Sequence, residues 1–133
     1  MKVLLDTNTC IAYLTRRSSK VEERLKQAVP SDIALCSIVK SELLFGAYKS
    51  TKSAENLARL KIFFRPFASL PFDDSAAELA GQLRAELEKA GTPIGPNDLL
   101  IGAIALTRGL TVVTRNTREF SRIAGLHLED WIT

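Results

Sequence analysis

Histidine is nearly absent from this 133-residue chain, where His127 stands alone near the C-terminus. Metal-free phosphodiester cleavage through a neighbouring hydroxyl uses a general base and a general acid, often two histidines, so one imidazole disfavours that route. Cysteine is almost as scarce. Cys10 and Cys36 lie in separate apolar segments without CxxC spacing or a nearby histidine, which predicts two buried thiols rather than a disulfide or a metal site. Long apolar runs are missing too: the longest, Leu99 to Leu106, has eight residues, against the ~20 needed to cross a bilayer. The opening run Val3 to Leu5 meets Asp6 with no small-residue cleavage site behind it. Neither a signal peptide nor a membrane span is expected, and a cytoplasmic location is. The GxGxxG, P-loop, GxSxG and HExxH motifs are all absent, which removes the commonest nucleotide, serine-hydrolase and zinc-protease readings. Charge of neither sign dominates: 18 Lys and Arg against 15 Asp and Glu leave +3, compatible with RNA or an acidic partner and diagnostic of neither.

What is present suits one globular domain over residues 1–133, with 46% hydrophobic and 25% charged residues. A chain of this size buries roughly two-thirds of its unfolded surface and needs no disulfide or structural metal. The apolar runs Lys2 to Leu5, Ile33 to Cys36 and Thr111 to Thr114 predict strands, with shorter ones at Leu70 to Phe72 and Leu126 to Leu128. Between them, helical spacing predicts helices through Cys10 to Leu14, Lys20 to Ala28, Ser37 to Tyr48 and Ser53 to Phe64. A further helix, opened by a Ser75/Glu78 capping box, runs to Gly91. A rigid loop, Thr92 to Pro96, introduces the most apolar helix, Leu99 to Leu106, which Asn97 can cap and Gly109 closes. Strands alternating with helices predict an α/β fold, a mainly parallel sheet with helices on both faces. Functional groups in such folds gather at the carboxyl ends of the strands.

The chemistry therefore rests on carboxylates, and on those that are out of place. Asp6 ends the first strand. Asp98 lies in the first turn of the apolar helix, where the helix dipole favours a negative charge. On a helical projection Glu42 falls within the arc of Ile38, Val39, Leu43, Phe45 and Gly46, a costly place for an unpaired charge. Glu119 follows the Thr111 to Thr114 strand as a fourth acid, whereas Asp73 and Asp74 read as helix-start residues. Converging carboxylates repel one another, and a divalent cation relieves the repulsion. Oxygen ligands favour Mg²⁺ or Mn²⁺ over Zn²⁺. The reaction this suits is phosphodiester hydrolysis by water, leaving a 5′-phosphate and a 3′-hydroxyl. Arg115, Arg118 and Arg122 beside Glu119 are candidates to hold flanking RNA phosphates, or else form a solvated basic face.

VLLDTN with Asp6, SELLFGAYKS with Glu42, PNDLLIGAIAL with Asp98, and VTRNTREF followed by GLHLEDW together resemble a PIN-domain VapC toxin, in the same order over nearly the whole chain. The resemblance implies a single PIN-like domain and a Mg²⁺- or Mn²⁺-dependent endoribonuclease acting on structured RNA, most often tRNA. It also implies the toxin half of a bacterial toxin–antitoxin pair, a homodimer inhibited by a VapB-type antitoxin that itself carries the contact to operator DNA. Asp6, Glu42 and Asp98 match the family's acidic positions; Asn8 and Thr114 match polar positions that support them. The fourth position departs from the pattern, with Asn116 where some members have Asp, and the longer Glu119 where Asp is more usual. Glu119 is thus left to bind metal directly, to hold a metal-bound water, or to orient Arg115.

Two other classes remain to be weighed. An aspartate-nucleophile phosphatase or phosphoacceptor would use Asp6, yet its DxD pattern wants an acid where Asn8 stands, and no receiver-type acid pair and late lysine are found. A non-catalytic binding module would need Glu42 neutralised by a protein cation. Phe63, Phe64 and Phe67 are expected in the core, with a partner surface as the alternative for them and for Leu44.

Overall fold

A computed structural model describes residues 1–133. The chain runs β1 (Val3–Leu5), α1 (Thr7–Leu14), α2 (Ser19–Gln27), a 3₁₀ turn (Pro30–Asp32), β2 (Ile33–Cys36), α3 (Ser37–Lys49) and α4 (Ser53–Phe64). It continues through β3 (Ala68–Leu70), α5 (Asp74–Lys89), α6 (Pro96–Thr107), β4 (Thr111–Val113), α7 (Thr117–Phe120) and β5 (Leu128–Glu129). The five strands form one parallel sheet in the order β3-β2-β1-β4-β5. All four residues of β2 are buried, as are Leu4 and Leu5 of β1, so helices cover both faces of the sheet, as expected of continuous apolar strands. No helix is long and apolar enough to cross a membrane.

The order places β1 between β2 and β4, with the chain winding outward to one side and then to the other. The crevice beyond the carboxyl ends of β1 and β4 is the switch point where open α/β sheets take their ligands. Leu4 pairs with Val112 and Leu5 with Val113, so Asp6 and Thr114, the next residue on each strand, emerge side by side. Both are buried.

Apolar packing fixes how the other elements meet this edge. In α6, Leu99 and the unbroken run from Ile101 to Ala105 are buried, because the helix is enclosed on most sides. Gly102 is where the α7 segment crosses it: a Cβ there would lie 2.5 Å from Cδ1 of Ile123 and 3.7 Å from a ring carbon of Phe120. Only glycine admits that approach without displacement. Tyr13, Phe63, Phe64 and Phe67 form an aromatic cluster, Tyr13 stacked on Phe63 at 5.5 Å, and Cys10 and Cys36 are free and buried as expected.

Several local expectations shift. The third strand is Ala68–Leu70 rather than Leu70 to Phe72, and the last is Leu128–Glu129 rather than Leu126 to Leu128. Helix α5 is capped by Asp73, whose side chain accepts from the Ala76 amide, instead of by a Ser75/Glu78 box. A carboxylate two residues earlier wins because it also meets the helix dipole. Ser37, a cap-type residue at the start of α3, does not cap that helix; its hydroxyl accepts from the Phe72 amide at 3.2 Å and ties the loop after β3 to α3. Helix α6 opens with Pro96 after Gly95, so Asn97 lies inside the helix and is not its cap. Along α3 the buried stripe is Val39, Leu43 and Ala47, while Phe45 is 66% exposed and Gly46 is also exposed. Glu42 therefore sits at the rim of the apolar face and not in its middle.

Candidate active site

Asp6 reaches the sheet edge as the N-cap of α1: the Thr9 amide donates to its Oδ1 at 2.9 Å, and its side chain is only 2% exposed. Thr9 also donates its hydroxyl to the Val113 carbonyl at 3.2 Å, pinning the start of α1 to the end of β4. Burial pushes the Asp6 carboxyl's pKa up. Hydrogen bonds from Thr114 and Thr9 pull it back, and the nearby Glu42 charge raises it further. Glu42 comes from α3, and its Oε1 accepts the Thr7 hydroxyl at 2.6 Å.

Asp98 arrives from the opposite side, in the first turn of α6. Its Oδ2 accepts from the Asn116 side-chain amide at 3.1 Å. Desolvation raises its pKa, Asn116 lowers it, and the charges of Asp6, Glu119 and Glu42 raise it again. Four acids thus act on one another across the switch point. None of the chain's ion pairs involves them, so the neutralising protein cation that a binding module would need at Glu42 is missing.

Glu119 is held differently. Its Oε1 accepts the Gly95 amide at 3.1 Å and its Oε2 the Asn116 side chain at 2.9 Å, which together draw its pKa down. The Asn116 backbone amide in turn donates to the Thr114 hydroxyl at 2.9 Å. Thr114, Asn116 and Glu119 therefore link the end of β4 to the start of α6.

Of the residues singled out in the sequence, Asp6, Glu42, Asp98, Glu119, Thr114 and Asn116 are linked around the switch point by hydrogen bonds and by the action of their charges on one another. Asn8 does not: it is exposed on α1 and bonds to none of the acids. Thr7, the first residue of α1, holds Glu42 instead. Arg118 is exposed and its charge acts on Glu119, Arg115 is exposed and its charge acts on Asp130, and Arg122 is half-buried and donates from its guanidinium to the Pro93 carbonyl at 2.6 Å. Cap chemistry hints at Thr7 and Thr9. Nothing local points to Pro93 or Gly95.

Whether these residues suit a metal is decided by their donor chemistry. No three acidic, histidine or cysteine side chains stand close enough to form a ready ligand set. Asp6 and Asp98 are nonetheless desolvated acids that repel one another, with no cation pair and with oxygen as their only donor. In their chemistry those properties fit a hard divalent cation such as Mg²⁺ or Mn²⁺.

Known proteins resemble this chain over nearly its whole length. The family described as PIN domain matches residues 3–126. The chain is 44% identical over 131 residues to the tRNA(fMet)-specific endonuclease VapC of Salmonella typhimurium, covering 98% of each. It is 38% identical over 132 residues to Ribonuclease VapC2 of Rickettsia felis, again covering 98% of each. Among solved structures, a chain of DNA-bound VapBC from Salmonella typhimurium superposes with a TM-score of 0.92 at 43% identity, covering 98% of both chains.

Proposed function

This chain belongs to the PIN-domain family, in its VapC branch, and from that premise we propose that residues 1–133 form a Mg²⁺- or Mn²⁺-dependent endoribonuclease, the toxin of a VapBC pair. Its substrate is RNA, and tRNA above all, as the name of the Salmonella relative says of that protein. A VapB-type antitoxin is its partner and carries any contact to operator DNA. The protein works in the cytoplasm as a homodimer.

The observation that carries this reading is the pair Asp6 and Asp98 at the β1/β4 switch point, both desolvated, both acted on by the Glu42 charge and neither in an ion pair. A bound divalent ion supplies charge neutralisation there, polarising the scissile phosphate and acidifying a water. Asp6 and Asp98 would hold it. Asp6 is buried and fixed by the Thr9 amide, so its carboxylate need not reorganise on binding. Glu42, held on one oxygen by Thr7, keeps the other for a water at the rim of the site, where it can orient that water and accept its proton. Asn116 steadies Asp98. Arg115, just after β4, and Arg118, in α7, are exposed and available to hold flanking phosphates.

The phosphoaspartate reading is weaker on these grounds. Asp6 is buried, its Oδ1 already accepts a backbone proton, and the residue two positions on is the exposed Asn8. The deciding experiment is incubation of the purified protein with total tRNA in Mg²⁺, in Mn²⁺ and in excess EDTA, with Asp98→Asn alongside. Metal-dependent cleavage to 5′-phosphate ends, lost in the variant, supports the nuclease. Full activity in EDTA refutes the metal reading.

A further inference from the structure

Residues 116, 119 and 122 recur at helical spacing on one side of α7 and the turn that follows it; Glu119 and Arg122 bond to the loop that launches α6, and Asn116 to Asp98 in its first turn. Asn116 donates to Asp98 at 3.1 Å and to Glu119 at 2.9 Å, Glu119 accepts from the Gly95 amide at 3.1 Å, and Arg122 donates to the Pro93 carbonyl at 2.6 Å. The opposite side of the same turn is apolar, with Phe120 and Ile123 buried against α6 at Gly102. Helix α6 has no side-chain cap of its own. Its first turn would otherwise leave backbone N–H groups without partners, and a carboxylate from outside supplies one.

We propose that Asn116, Glu119 and Arg122 act as a positioning clasp, locking the Pro93–Gly95 loop so that the Asp98 carboxylate is aimed into the site. The inference rests on the nuclease reading for its consequence, and on the four hydrogen bonds for its geometry. It changes the role of two residues. Both oxygens of Glu119 are engaged by protein donors, so it works through Asn116 and Gly95 rather than as a ligand. The Arg122 guanidinium is committed to a loop carbonyl, so it is not one of the arginines that hold RNA. Asp98 has Oδ2 tied to Asn116, which fixes the plane of the carboxylate.

The clasp separates from the competing roles by what each substitution moves. Mn²⁺ titration of the RNA-free protein, steady-state cleavage of tRNA across a salt series, and amide exchange of the metal-free protein are compared for wild type, Arg122→Ala, Arg122→Lys and Glu119→Ala. A misplaced carboxylate costs on the order of tenfold to a hundredfold in rate. Arg122→Ala is therefore expected to weaken Mn²⁺ binding and lower kcat by about tenfold each, with KM and the salt slope as in wild type. Arg122→Lys keeps a donor for the Pro93 carbonyl and restores most of the loss. Glu119→Ala follows Arg122→Ala, because both release the same loop. In both alanine variants the Gly95 amide exchanges faster, a readout that needs neither metal nor RNA.

A raised KM with a flatter salt dependence and unchanged Mn²⁺ affinity in Arg122→Ala would make Arg122 a phosphate contact and overturn the clasp. Loss of Mn²⁺ binding in Glu119→Ala alone, with Arg122→Ala like wild type, would make Glu119 a ligand and overturn it equally. Unchanged Gly95 exchange in both alanine variants also overturns it. A wild type that fails to cut RNA while the variants still speed Gly95 exchange refutes the nuclease reading and leaves the clasp standing.

Discussion

Thr7 gives its hydroxyl proton to Oε1 of Glu42 at 2.6 Å, joining the first residue of α1 to the middle of α3 across 35 positions of sequence. Glu42 stands at the rim of its helix's apolar face, where its charge has no ion-pair partner and its long side chain has several rotamers to choose from. The threonine selects one. Thr7→Val keeps the shape and removes the donor, and a hydrogen bond to a charged group contributes about 1.5–3 kcal/mol when well shielded, less at a rim. Thermal unfolding of Thr7→Val should reveal a loss of about 1 kcal/mol, and RNA cleavage should slow by about tenfold through kcat as Glu42 loses its orientation. Thr7→Ser, which restores the hydroxyl, should recover most of both; equal damage in the serine variant would place the effect in packing.

The acids at the switch point work against the stability of the metal-free fold, and the sign follows from linkage. Asp6 and Asp98 have pKa values raised by burial and by neighbouring carboxylates, so the native state binds their protons more tightly than the unfolded chain. Stability then falls as pH climbs from the unfolded carboxylate value near 3.9 through the raised native values, and stays lower above them. Asp98→Asn and Asp6→Asn remove that cost. Asparagine can still cap α1 through the Thr9 amide, so the helix start survives. In EDTA at pH 7 both variants should melt higher than wild type. The gain should shrink toward pH 4 and vanish below it, while cleavage is abolished at every pH.

How much of this is legible in the sequence depends on how local the cause is. The apolar runs VLL, IALC and TVV are strands because both sheet faces are covered, and three of the site's acids can be found by their places at strand ends or in the first turn of an apolar helix. The third strand, Ala68–Leu70, begins two residues before its apolar signal, because Ala68 and Ser69 of this edge strand are exposed. The projection of α3 puts Glu42 at the centre of its face because it counts Phe45 as buried, a residue that the fold leaves outside. Thr7 to Glu42, Gly95 to Glu119 and Pro93 to Arg122 span 35, 24 and 29 positions. Such contacts depend on how loops approach one another after the core has packed, and no residue spacing announces them.

A divalent cation should stabilise the native protein by mass action, since the acids converge only in the folded chain. Saturation at about a hundred times the dissociation constant corresponds to about 2.7 kcal/mol. Wild type should therefore melt progressively higher as Mg²⁺ or Mn²⁺ is added, and Asp98→Asn should respond far less because one of the two principal ligands is gone. The comparison is internal: the variant starts higher in EDTA and is overtaken as metal rises. Parallel curves for the two proteins would remove Asp98 from the metal site.

Arg115 and Arg118 are exposed cations that follow β4, and their contribution to RNA binding should be electrostatic. Replacing either with alanine should raise KM and reduce the magnitude of the slope of log affinity against log salt by about 0.7–0.9 for each phosphate that is no longer neutralised. Measuring cleavage at several salt concentrations tests this directly. An unchanged slope in both variants would assign these arginines to a solvated face with no part in RNA binding.

Gly102 couples the interior of α6 to the site, and its substitution can be balanced by a second one. A Cβ at this position would meet Cδ1 of Ile123 at 2.5 Å, while Leu126 and Phe120 close in at 3.6 and 3.7 Å. Gly102→Ala gains about 1 kcal/mol of helix propensity, but overpacking a filled core costs about 1–3 kcal/mol, and the part that yields is the turn carrying Glu119 and Arg122. The variant should therefore lose about 1 kcal/mol of stability and more activity than that loss explains, because the turn shifts away from Gly95 and Pro93. Ile123→Val removes the very carbon that collides. Alone it should cost about 0.5–1.5 kcal/mol as a small cavity, whereas combined with Gly102→Ala it should return both melting temperature and kcat toward wild type. Additive damage in the double variant would mean that the two side chains do not share the space, and that α7 is positioned by something other than its contact with α6.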